Sequence, residues 1–107
     1  MIRTLATSGG TTVYLGKNAQ GNHYLCANSE HDTYWLHLQD HASPHAILCT
    51  HIHDKASLVE AATFVKQYSK LKNEKKVKVI YCKLENIQMT KTPGLVRTKK
   101  NPDILII

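Results

Sequence analysis

The chain is short of acid: eight Asp and Glu stand against fourteen Lys and Arg in 107 residues. The shortage is uneven. Between Lys66 and Lys100 eleven bases face only Glu74 and Glu85, a local excess of nine positive charges. Elsewhere three bases meet six acids, so the formal +6 conceals a polarised molecule. No paired carboxylates are placed for acid–base hydrolysis. A strongly positive region attracts polyanions through phosphate neutralisation and counterion release. A solvated lysine surface without a partner is the plainer alternative.

Cysteine is also scarce. Cys26, Cys49 and Cys82 are odd in number, far apart and without a CxxC pair, which excludes a zinc ribbon or a dithiol redox motif. Lying in apolar runs, they read as buried free thiols of a reducing compartment. No apolar run approaches the roughly 20 residues of a membrane span. The opening "MIRTLATSGG" lacks the apolar segment of a signal peptide. A cytoplasmic protein without membrane insertion is expected. Repeats, linkers and low-complexity segments are missing, so residues 1–107 read as one domain. "GKNAQGN" lacks the GxxxxGK[ST] framework of a phosphate loop, and no GxSxG elbow is present. Seven histidines include "HIHD" (His51, His53, Asp54), which with His37 and His45 is raw material for zinc. Without HExxH or related spacing, neither a metal nor a cofactor is expected.

What remains is a β-rich pattern around one clear helix. "TTVYLG" and "NHYLCA", separated by Gly- and Asn-rich residues, predict an opening hairpin. "TYWLHLQ" alternates, with Tyr34, Leu36 and Leu38 on one side and Trp35, His37 and Gln39 on the other. His37, His41 and His45 recur at helical spacing, but Pro44 and the turn chemistry of "DHASP" forbid a helix there. "HAILCT" resumes as a strand. A turn symmetric about His41 then sets His37 and His45 opposite each other. Ser57 and Glu60 form a capping box before "LVEAATFVKQYSKLK", whose Leu58, Ala61, Ala62, Val65 and Tyr68 should face the core. Lys66 and Lys70 fall on the other side, and Lys70, Lys72, Lys75 and Lys76 gather where this helix ends, a position that also suits its dipole. "VKVIYCKL" is a central strand, "ENIQM" extends or pairs with it, and "LVRT" and "DILII" close the chain as a basic hairpin. The expected fold is α+β, a mainly antiparallel sheet with one long helix packed against it.

At this point the chain resembles the NFACT-R domain, the RNA-binding module of the NFACT proteins of ribosome-associated quality control. The resemblance rests on "TSGGTTVYLGKNAQGNHYL" (Gly16, Lys17, Asn18, Asn22, Leu25), and on Asp32, Trp35, His37, His45 and Ile47. It continues through "LVEAATFVKQYSK" (Ala61, Ala62, Tyr68, Ser69, Lys70) and through Lys91, Pro93, Gly94 and Val96. Two positions depart from it: Asn22 is followed by His23 rather than Asp, and the family's "pGsH" turn reads "ASPH", which loses the glycine and puts Pro44 directly before His45. The resemblance implies a stand-alone RNA-binding module, without the tailing activity of the full-length proteins. His37 and His45 resemble the family's paired histidines on neighbouring strands.

Charge and resemblance together name Lys17, Asn18, His37, His45, Lys70, Lys72, Lys91, Arg97, Lys99 and Lys100 as nucleic-acid contacts. The expected partner is RNA, ribosomal or transfer, in a ribosome context, with DNA as the alternative polyanion. The function expected is non-catalytic binding. With about five phosphates neutralised, log affinity falls against log salt with a slope of roughly −3.5 to −4.5. A protein–protein adaptor and an RNA-processing enzyme using His37 and His45 as an acid/base pair are the alternatives. For both histidines and Trp35, nucleotide contact and a packed, self-satisfied core position are both open.

Overall fold

A computed structural model describes all residues, 1–107. Strands β1 (Ile2–Ala6), β2 (Thr12–Gly16), β3 (Tyr34–Leu38), β4 (Ala46–Leu48), β5 (Lys78–Lys83) and β8 (Asp103–Ile106) form an antiparallel sheet in the order β1-β2-β4-β3-β5-β8. Strands β6 (Ile87–Met89) and β7 (Val96–Thr98) pair separately. The helices are α1 (Ala19–Asn28) and α2 (Lys55–Gln67). The fold is α+β, as expected.

Strand alternation sorts the core into two layers. Tyr34, Leu36 and Leu38 of β3, with Val13, Leu15 and Val79, meet Leu58, Ala61, Ala62 and Val65 of α2. On the opposite face Trp35 and Ile47 meet Leu25 and Cys26 of α1 and Ile87 of β6. Fully burying one such aliphatic side chain stabilises the fold by about 1.5–3 kcal/mol, so the sheet is held from both sides. The sheet is the middle of three layers.

Five local expectations are corrected. "NHYLCA" is helical, not the second strand of a hairpin: Asn18 caps α1, its Oδ1 accepting from the Gly21 N–H at 2.8 Å. Gly21, Leu25 and Cys26 then fall on one buried helical face. The capping box does not form. Asp54 is the N-cap of α2, the Ser57 hydroxyl donates to its carboxylate at 2.6 Å, and Glu60 instead accepts from the N–H and hydroxyl of Ser8. Tyr68 lies beyond the last helical turn and is 40 % exposed. "LVRT" and "DILII" are not a hairpin, because β7 pairs with β6 while β8 adds to the main sheet beside β5. Of the three free cysteines, Cys49 is exposed rather than buried.

Candidate nucleic-acid interface

The β3–β4 turn is the foundation of the site. The ladder pairs Tyr34 with Leu48, Trp35 with Ile47 and Leu36 with Ala46, a register that continues to His37 opposite His45. Their rings meet edge-on with centroids 4.9 Å apart. The Ser43 hydroxyl oxygen accepts from Leu38 N–H at 3.1 Å and fastens the turn to the strand end.

His45 is a buried hub, 2 % exposed. The buried Trp35 indole donates to His45 Nδ1 at 3.1 Å. An indole N–H can only donate, so Nδ1 presents its lone pair and the ring proton sits on Nε2. The Gly94 backbone is the hydrogen-bond partner of this ring, and Cys26 Sγ lies 3.5 Å from Nδ1. Burial, and secondarily the neighbouring His37, pushes the His45 pKa down to about 4 against the opposing pull of Gly94. The backbone N–H of His45 donates to Asn22 Oδ1 at 3.0 Å, linking the turn to α1. That link requires Gly16, where any Cβ would collide with the Asn22 side chain. One imidazole thus joins α1, β3, β4 and the turn at Gly94.

His37 is placed differently. Its ring lies parallel to the indole of Trp35, 3° between planes and 5.7 Å between centroids. Its Nδ1 is 2.6 Å from the Leu38 carbonyl. A carbonyl can only accept, so Nδ1 carries the proton. Burial lowers the His37 pKa, with the Leu38 bond partly opposing. Both histidines are neutral at pH 7, without the proton a general acid would deliver as imidazolium.

Around this pair opens a cleft of about 530 Å³. Lys17, Asn18 and Asn22 form one wall, His41 to Pro44 the second, Tyr68 to Leu71 the third, and Pro93 and Gly94 the last. No Asp or Glu lines it. Gly94 shapes its wall with φ of +81°, a left-handed conformation that disfavours other residues. Asp40 is next to this lining in the chain but is exposed and not part of it.

Of the ten residues named from the sequence, Lys17, Asn18, His37, His45 and Lys70 converge here. Lys72 and Lys91 are exposed and lie one residue from Leu71 and two from Pro93. Lys100 lines a different pocket, with Tyr34, Tyr81 and Lys83 at the other end of β3. Arg97 and Lys99 are exposed on and just after β7. Other bases in the positive stretch are occupied: Lys83 donates to the Asp32 and His51 carbonyls, and Lys66 to that of Ile107. Sequence reasoning missed Arg3, whose guanidinium sits 4.3 Å over the Tyr68 ring at the cleft wall. Nothing in the sequence joins a residue of the first strand to one after α2. His41 and Ser43, which belong to the "DHASP" turn and were not named as nucleic-acid contacts, both line the cleft.

The class defined by these features is a three-layer α+β domain with a carboxylate-free, lysine-flanked cleft at one end of its sheet. Residues 1–99 match the family described as the NFACT protein RNA binding domain, and the chain belongs to that family. It is 30 % identical over 99 residues to the Rqc2 homolog RqcH of Bacillus subtilis, covering 90 % of this chain and 17 % of that protein. The C-terminal structure of the fibronectin/fibrinogen-binding protein from Streptococcus suis shares the fold, with a TM-score of 0.90 at 23 % identity, over 99 % of this chain and 44 % of that one. The chain therefore spans less than half of each relative. No helix is long and apolar enough to cross a membrane.

Proposed function

We propose that this domain binds RNA through the cleft at the β3–β4 turn, without catalysis, as a contact module for ribosomal or transfer RNA in translation quality control. The observation that carries the reading is the convergence of Lys17, Asn18, His37 and Lys70 in a cleft without a single carboxylate. A depression lined by one sign of charge focuses field on a phosphate. Lys17 and Lys70 provide that charge, and Lys72 and Lys91 extend it outward. His45 acts as a positioning residue, holding the walls together rather than touching ligand, because it is buried and hydrogen-bonded on both sides. The family membership and the RqcH relative support the ribosome setting.

The charge arrangement also lowers the number of phosphates expected. With two to four cations at the cleft, the slope of log affinity against log salt is about −1.5 to −3 for single-stranded RNA. Lys17→Ala with Lys70→Ala reduces its magnitude by about 1.4. Fluorescence anisotropy across a salt series measures both. An affinity that ignores salt, or a slope unmoved by the double substitution, overturns the reading.

A further inference from the structure

We infer that the cleft distinguishes ribose from deoxyribose, with His37 Nε2 accepting a hydrogen bond from the 2′-hydroxyl of a nucleotide whose phosphate lies by Lys17 and Lys70. The inference rests on the RNA reading proposed above and names the residue that selects within it.

The tautomer comes first. With the Nδ1 proton committed to the Leu38 carbonyl at 2.6 Å, Nε2 of the neutral ring holds a lone pair. That nitrogen has no protein partner, yet no buried side-chain nitrogen or oxygen in the molecule lacks one. Nε2 is therefore open to solvent, and the space His37 lines is the cleft.

The lysines and the Asn18 amide that line the cleft with it are of the opposite kind. Lys17 and Lys70 can only donate. Asn18 has its carbonyl oxygen taken by Gly21, which leaves its amide N–H groups. The Ser43 hydroxyl is committed at both ends, accepting from Leu38 and donating to the Pro44 carbonyl at 3.0 Å. A phosphate satisfies donors and repels an acceptor, so a bare phosphate would leave Nε2 unmatched. A ligand that fits both presents an anion and, a few ångströms away, a hydrogen-bond donor. RNA offers this at every nucleotide, because the 2′-hydroxyl sits on the sugar that carries the phosphate ester, and DNA lacks it. An exocyclic base amine is the other donor of suitable chemistry, but its distance from phosphate changes with base identity and glycosidic angle.

The experiment compares the intact chain binding one RNA sequence, the same sequence with 2′-fluoro sugars, and its DNA counterpart. The 2′-fluoro strand retains bases, phosphates and RNA-like sugar pucker while losing only the donor. RNA is expected to bind about 3- to 10-fold more tightly than the 2′-fluoro strand, the range of one net hydrogen bond. His37→Phe retains a ring against Trp35 and should lower RNA affinity to the 2′-fluoro level, leaving 2′-fluoro and DNA affinities and the salt slope unchanged. Equal salt-dependent affinity for RNA and the 2′-fluoro strand would overturn the ribose inference while leaving the RNA reading in place, with sugar pucker to explain any weaker binding to DNA. A His37→Phe protein that still discriminates would remove His37 from the role. Loss of salt-dependent RNA binding altogether would remove both proposals.

Discussion

Two histidines eight residues apart in the chain, His37 and His45, meet ring to ring and do different work because their protons are placed differently. Trp35 fixes His45 as an acceptor at Nδ1, and the Leu38 carbonyl fixes His37 as a donor at Nδ1. Removing the indole donor by Trp35→Phe leaves a buried nitrogen unpaired, and should cost about 1–3 kcal/mol in denaturant unfolding. The same environment makes stability depend on pH. The unfolded chain protonates His45 near 6.5 and the folded chain only near 4, so the unfolded state binds more protons between those values. Stability is complete above pH 6.5 and falls as pH drops from 6.5 to 4, by up to about 3 kcal/mol. The lowered His37 pKa acts in the same direction. Unfolding midpoints measured across this window should decline in the native protein and decline less in His45→Gln.

Helix α1 shows why one element escaped a reading from pattern alone. "NHYLCA" has the aromatic and apolar content of a strand, and the surrounding Gly and Asn residues read equally well as a turn. Its helical state depends on Asn18 acting as a cap and on a buried face, Gly21, Leu25 and Cys26, that exists only because a sheet lies beneath it. Asn18→Ala should therefore destabilise the protein by about 1 kcal/mol, measured by chemical denaturation. Gly16→Ala should do more damage, since its methyl meets the Asn22 side chain that tethers His45. The expected result is a lower thermal midpoint together with weaker RNA binding. By contrast β3, β4 and β5 were legible in outline, because short apolar, β-branched and aromatic runs bounded by turn residues mark strands buried in a sheet. The capping of α2 was misread because Asp54 and Ser57 satisfy each other, leaving Glu60 to hold the Ser8 loop.

At the scale of the molecule the positive charge is divided rather than pooled. Lys17 and Lys70 face the cleft, Lys100 belongs to the opposite end of β3, and Lys66 and Lys83 donate to backbone carbonyls. A single continuous basic platform, the reading that total charge invites, is thus replaced by a focused cleft with dispersed outliers. Lys99→Ala with Lys100→Ala should change RNA affinity less than Lys17→Ala with Lys70→Ala at equal ionic strength. A filter-binding comparison of the two pairs, which remove equal charge, separates position from net charge.

Local order and chemical kind were already written in the residues: an α+β chain, histidines set symmetrically about a turn, too few acids to balance the lysines, and the family to which all of this belongs. Such features follow from spacing and side-chain type, which act over a few residues and need no partner. Which lysines share a cleft, which ring nitrogen keeps its proton and which imidazole is sealed away came only with the packed chain. Those outcomes depend on groups tens of residues apart being pressed together out of water, where each buried lone pair must find a donor and each exposed one awaits a ligand.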